Sequence, residues 1–283
     1  MKKLYPETTV IINKGNVEHV ARCASVCYHS TVANPKRLYD RLIASGHYSM
    51  LRHETHYYKI PTRFLGGYYQ QYFKNNPYCG YVAPGDSYAY IVVNGQWLYE
   101  HKAMEERLKL RDYEVWENEF EARPETFKLI RLTFCVTNKI AITRELNRTS
   151  PNNIAERSTR FIDYIRKLGI RFTLPHWWND ANFYKRTLAT FLLKLSEWSY
   201  GIARSKYGLN LKAEDARDFL PLMTESMAAY TYSIEEWLHI IDLRYYGLTG
   251  KPHPDAKNAV RHIHHYIHAK VGTASLEWTK NNL

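Results

Sequence analysis

The densest run of chemistry-bearing side chains is Thr143 to Phe161, TRELNRTSPNNIAERSTRF. It holds four arginines, two glutamates and five Ser or Thr residues around an Asn-rich turn containing Pro151. Arginine presents a rigid fork of donors that matches phosphate oxygens, and adjacent hydroxyls add neutral donors. A glutamate among them can orient the arginines or accept from a base or sugar hydroxyl. The same composition also suits a solvated loop laced by ion pairs, such as Glu145 with Arg148 or Glu156 with Arg160. Composition leaves both readings open.

The elements that must position this run can be read from periodicity. Phe127–Val136 reads as a strand leading into it. Val17, Val20, Ala21, Ala24 and Tyr28 recur at helical spacing after Asn16, and Asn34-Pro35 opens a second helix that stops at Gly46. Thr55–Ile60 and Tyr88–Val93 read as strands, the latter closed by Asn94-Gly95, with a helix expected from Gln96 to Leu110. A long helix spans Ala181 to Tyr207, with Leu188, Phe191, Leu192, Leu195 and Trp198 on one stripe. A strand over Met223–Thr231 and helices over Ile234–Tyr246 and Pro254–Lys270 complete the chain. Strands and helices alternate irregularly, so the expected class is α+β, helices flanking a mostly antiparallel sheet. No repeat or linker divides residues 1–283, and a single domain is expected.

Hydrophobic content of 45% and charged content of 24% are those of a soluble globular protein, and no apolar run reaches the roughly 18 residues of a membrane span. The start, MKKLYPETTVII, carries no long apolar h-region, so a cytoplasmic location is expected. Cys23, Cys27, Cys79 and Cys135 form no zinc pattern and read as small core residues. The formal net charge of +11 favours an anionic partner, be it nucleic acid, nucleotide or phosphorylated metabolite. A nucleic-acid role rests only on that charge and the 24 tyrosines, and is not favoured. There is no GxGxxG after a strand and no Walker loop. His53-Glu54-Thr55-His56 is one residue too short for HExxH, and His262, His264, His265 and His268 read as an exposed basic helix before they read as a metal site.

Spacing narrows the field. Arg144-Glu145-Leu146-Asn147-Arg148-Thr149-Ser150 is followed by seven residues, then Ser158, Thr159, Arg160 and Phe161. Along nearly its whole length the chain resembles the flavin-dependent thymidylate synthases, which carry Arg-His-Arg, seven residues and Ser within Glu-x-Ser-x-Arg-Tyr. Leu51-Arg52-His53 is similar to the family's Leu-Glu-His, Asp215 to Pro221 to its Ala-Arg-x-x-Leu-Pro, and Leu243-Arg244 with His253-Pro254-Asp255 to its C-terminal block. The resemblance implies that fold, a homotetramer with sites between subunits, and no membrane partner. It implies reductive one-carbon transfer from methylenetetrahydrofolate to C5 of a pyrimidine nucleoside monophosphate, dUMP by default, giving dTMP. FAD and NADPH would serve as cofactor and reductant.

Residue by residue, the resemblance assigns the nucleotide to Glu145, Arg148, Ser158, Thr159, Arg160, Arg217 and Arg244, with Ser158 and Arg160 on the phosphate and Arg217 reaching it from a neighbouring subunit. Arg244 matches the arginine beside the uracil ring, and Glu156 the acidic residue between the two ligands; these two are the catalytic candidates. The flavin side falls to His53, Thr55, Arg148, Thr149, Ser150, Glu156, Ser233 and His239. Here the chain departs from the family: Thr149 and Ser150 replace His and Arg, and Ser233-Ile234-Glu235 replaces Asn-x-Arg. Arg52, Arg144 and Lys139 are the nearby cations that could compensate. A paralogue acting on another pyrimidine nucleotide, a protein using FMN, and a non-catalytic nucleotide-binding protein without flavin are the alternatives.

Overall fold

The computed structural model describes residues 2–28, 31–85, 87–149, 153–165 and 169–272; Ser150 lies outside them. In chain order the elements are β1 (Lys2–Leu4), β2 (Glu7–Ile11), α1 (Asn16–Tyr28), α2 (Pro35–Ala44), β3 (Thr55–Pro61), α3 (Gly67–Asn75), β4 (Cys79–Val82) and β5 (Tyr88–Asn94). Then come α4 (Gly95–Glu100), α5 (Lys102–Leu108), β6 (Glu114–Val115), α6 (Pro124–Phe127), β7 (Arg131–Lys139), α7 (Ile140–Asn147), β8 (Ile154–Glu156) and β9 (Arg171–Thr173). The last are α8 (Phe183–Arg204), α9 (Ala213–Ala216), β10 (Glu225–Ser233), α10 (Ile234–Ile241) and α11 (Pro254–Gly272). The class is α+β, as expected. Among the described residues the strands form two four-stranded antiparallel sheets, β2-β7-β10-β8 and β4-β5-β3-β6, and a small parallel pair, β1-β9.

The first sheet carries the candidate residues. β7 and β10 pair over their full length, from Glu225↔Lys139 to Ser233↔Arg131. Phe134, Val136, Tyr230 and Tyr232 pack beneath α10 and α11 against Trp237, Ile240, Val260 and Ile263. Trp237 is anchored within that apolar layer by its indole N–H, which donates to Leu132 O at 3.0 Å. The second sheet joins the same cluster through Tyr57, Tyr90 and Val92, packed with Phe120 and Leu129.

Two expectations change. The strand expected from Phe127 begins at Arg131, because Pro124 starts a short helix that tucks Phe127 into the core. The helix expected over Gln96 to Leu110 breaks at His101 into α4, capped by Asn94, and α5, which ends at a left-handed Lys109. The Tyr-rich stretch after Gly66, for which the sequence carried no assignment, forms α3 and buries Phe73.

Candidate functional site

α7 follows β7 directly and lays Thr143 and Asn147, one turn apart, over β8. Both donate to Glu156 at the end of β8: Thr143 Oγ1 to Oε1 at 2.6 Å and Asn147 Nδ2 to Oε2 at 2.8 Å. Ser226 Oγ of β10 adds a third donor to Oε1 at 2.8 Å. Glu156 is therefore held by three neutral donors from two elements, α7 and β10. Arg160, which could have been its ion-pair partner, reaches Glu214 of α9 instead, Nε to Oε2 at 2.9 Å.

The next residue, Arg157, turns inward and is the buried arginine of the run. Its Nη1 donates to Glu225 Oε1 at 2.8 Å, with 1% and 3% of the two side chains exposed. Ser158 ends the strand: its N–H donates to Cys27 O, and its Oγ accepts from the amides of Arg160 and Phe161 at 3.1 and 3.2 Å. This local turn sets Thr159 and Arg160 at the surface, with Phe161 against Tyr28. Arg160 holds the Glu214 carboxyl below its usual range, and the charges of Lys212 and Arg217 add to the effect. Arg160 and the exposed Arg217 thus share one acidic neighbour, Glu214.

Arg244 comes from a π-helical turn, Asp242–Tyr246, that continues α10. It lies over α7, with Nη2 donating to Glu145 O at 3.1 Å and Nη1 3.4 Å from Glu145 Oε1. Among the described residues its Nε is buried without a partner. Glu145 therefore pairs with Arg244 rather than with Arg148, which is exposed at the end of α7.

The residues assigned to the flavin side are arranged differently. His53 is fully buried; its Nδ1 meets Thr231 Oγ1 at 2.7 Å, Thr231 meets Thr133 at 2.7 Å, and Thr133 meets His19 Nε2 at 2.9 Å. Burial first, and then the charges of Arg131 and other neighbours, push His53 down to about 3 and His19 to about 4. Thr55 is buried and accepts from Arg131 Nη1 at 3.0 Å. Thr149 Oγ1 donates to Leu146 O at 2.6 Å, and Ser233 caps α10 through a reciprocal capping box with Glu236. Glu235 and His239 are exposed on α10.

A cavity of about 230 Å³ between the sheets is lined by Asn94, Arg131, Asn153, Ser233, Glu235 and Glu236. Arg131 is its cation, but its guanidinium already donates to the carbonyls of Arg52, Glu54 and Thr231 and to Thr55. Of the three cations that could compensate, Arg52 is drawn to Gln96 and Tyr78, and Lys139 is paired with Asp255; Arg144 remains exposed on α7. The hydroxyls and the cation are already engaged, and two carboxylates line the space. Among the described residues, this donor set does not fit the diphosphate of a flavin dinucleotide.

The cysteines offer no activated nucleophile: Cys23 and Cys27 sit in or against the core, and burial pushes both thiols up, Cys27 to about 11. Sequence reasoning missed Thr143, Asn147 and Ser226 as the groups that hold Glu156, and Arg157 as a buried ion-pair member. The four-residue spacing of Thr143 and Asn147 on α7 was the available signal for the first two.

An antiparallel sheet thus carries the turn Glu156 to Arg160, and Arg244, from the π-helical turn after α10, reaches Glu145 on α7. A family model described as Thymidylate synthase complementing protein matches residues 91–271, more than half of the chain, and the chain belongs to that family. Among solved structures it is similar to the UMP/dUMP methylase PolB from Streptomyces cacaoi bound with 5-Br dUMP, at 12% identity and a TM-score of 0.46, covering 95% of this chain and 93% of that one. The same methylase bound with 5-Br UMP matches at 13% identity and a TM-score of 0.46, covering 95% and 92%. No curated protein matches.

Proposed function

We propose that the chain is a methyltransferase-like enzyme acting at C5 of a pyrimidine nucleoside monophosphate, dUMP by default, and that residues 1–283 form one domain. The observation that carries this reading is the placement of Arg244 against Glu145, residues 99 apart in sequence that the family resemblance assigns to one nucleotide. Arg160 would meet the phosphate, with Arg217 reaching it from a neighbouring subunit as the resemblance implies, and the Ser158 turn fixes the direction of Arg160. Arg244 would stabilise negative charge developing on the ring oxygens as C5 becomes nucleophilic. Glu156 would fix Thr143, Asn147 and Ser226 as the floor of the site. The family resemblance supplies methylenetetrahydrofolate as carbon donor, NADPH as reductant and a flavin as their redox intermediary; no step is assigned to the flavin, since the residues at its side do not fit FAD.

That mismatch specifically favours a second reading, a nucleotide-binding protein that has lost flavin chemistry. A homo-oligomer, tetrameric by family resemblance, is supported by the stripe on α8, where Leu188, Phe191, Leu192, Leu195 and Trp198 are 44–64% exposed. The deciding experiment incubates purified protein with FAD or FMN and with dUMP, UMP or dCMP, measuring nucleotide binding, retained flavin absorbance and dTMP formation. Saturable dUMP binding that Arg160→Ala and Arg217→Ala each weaken, together with dTMP formation, supports the enzyme. The same binding without flavin or dTMP supports the second reading, and equal weak binding of all three nucleotides sinks both.

A further inference from the structure

We propose that His176, His253 and Asp255 form a binding site for one divalent transition-metal ion of the zinc class, clamping the turn His176–Trp178 to the start of α11. The site shares no residue with the nucleotide site and does not depend on that reading. The three ligand atoms lie within 4.8 Å of one another. Asp255 is buried, and its carboxylate is aimed by the His176 amide, which donates to Oδ1 at 2.7 Å. The other oxygen, Oδ2, faces His176 Nδ1 at 3.4 Å and His253 Nδ1 at 3.9 Å.

A tetrahedral ion with ligands at about 2.0–2.1 Å separates those ligands by about 3.4 Å. The His176–Asp255 pair already has that spacing, and the His253–Asp255 pair is within half an ångström of it. Both imidazoles belong to exposed residues, so ring rotation, with release of the Asp255 amide from His253 Nδ1, closes the rest. The nitrogen of His253 is also in the right tautomer. Its Nδ1 accepts from the Asp255 amide at 3.2 Å, so the proton sits on Nε2, and a metal would take over the lone pair that this amide now holds.

Lys139 sets the class of ion. Its ammonium is paired with Asp255 Oδ2 and offsets the carboxylate charge. A single neutralised carboxylate with two imidazoles suits a borderline ion and disfavours magnesium or calcium, which need several oxygen ligands. The fourth position faces solvent and would carry water. The neighbouring alternative is weaker: His264 and His268 on α11 have ring centroids 4.1 Å apart but offer two nitrogens, and His264 Nε2 is engaged by Tyr246 Oη at 2.8 Å.

The test is a cobalt(II) titration of EDTA-treated full-length chain, followed by visible d–d absorption and then by zinc displacement. One equivalent should bind with tetrahedral intensity. His176→Ala and His253→Ala should each weaken binding at least about tenfold, the low end of the cost of losing even an outer-shell partner. Both side chains are on exposed residues, so neither change should disturb folding, which thermal melting verifies. His264→Ala should leave the affinity unchanged. Absence of a tetrahedral band overturns the proposal, as does a band that survives the His176/His253 double variant.

Discussion

Replacing Glu156 by Gln tests whether this residue is held as the structure shows. Its Oε1 accepts from Thr143 and Ser226, and its Oε2 from Asn147. Glutamine can keep an oxygen under the two hydroxyls, but its amide NH₂ then meets the NH₂ of Asn147. Asn147 cannot flip to adapt, because its Oδ1 accepts from Tyr230 Oη at 2.9 Å. One hydrogen bond is lost and two donors face each other, which should cost about 1–3 kcal/mol. Glu156→Ala goes further. Thr143 retains Ile140 O at 3.2 Å, but Ser226 and Asn147 lose this acceptor, for a total of about 2–6 kcal/mol. That is a large part of a typical stability of about 5–15 kcal/mol. Urea titration with an unchanged m-value measures both. Asn147→Asp in the Gln background should restore the pairing and recover most of the loss. A Glu156→Ala variant within about 0.5 kcal/mol of the parent would refute the reasoning.

Arg157→Ala should destabilise by about 3–5 kcal/mol by stranding the Glu225 carboxylate, whereas Arg157→Met with Glu225→Leu should cost far less; chemical denaturation of the set decides, and equal losses would discount the buried pair. Stability should peak near pH 6.5. Burial opposes charge on His56, but hydrogen bonds and charges from Glu114 and Glu54 outweigh it and raise the group to about 9, so its contribution is full below about 6.5 and is lost toward 9. His53 and His19 are depressed, so stability falls as pH drops from 6.5 toward 4 and 3. In melts across this range, His56→Gln should flatten the alkaline arm alone, and an unchanged arm would discard that account. Phe191→Asp with Leu195→Lys on α8 should lower the mass seen by sedimentation velocity; an unchanged mass would locate the subunit contact elsewhere.

The legible parts of the fold were those with local causes. Asn34 caps α2 through Arg37 N, and Asn94 ends β5 by capping α4 through Trp97 N; both arise from residues a few positions apart. β7 was misplaced at its start because the apolar run from Phe127 does not by itself separate a helical turn from a strand. Of the candidate site, residue types were legible but partners were not. Glu145 could have chosen Arg148 and Glu156 could have chosen Arg160, both at helical distance. The sheet instead carries Glu156 to Thr143, Asn147 and Ser226, and leaves Glu145 for Arg244. The closure of the flavin side was illegible for the same reason: Arg131 is committed to oxygens 76 to 100 residues away.

The π-helical turn that carries Arg244 stores the direction of that side chain as a count of residues. A π turn holds more residues than an α turn, so one deletion within 242–246 would return the segment to α-helix and re-aim the residues of the turn itself. Gly247, at φ 82°, ends the turn and would absorb the shift before α11. Gain or loss of a single codon there would therefore aim Arg244 at α7 or away from it while every side chain of the site stayed the same. Among relatives of this chain, the length of this segment should be inspected before the identity of its residues.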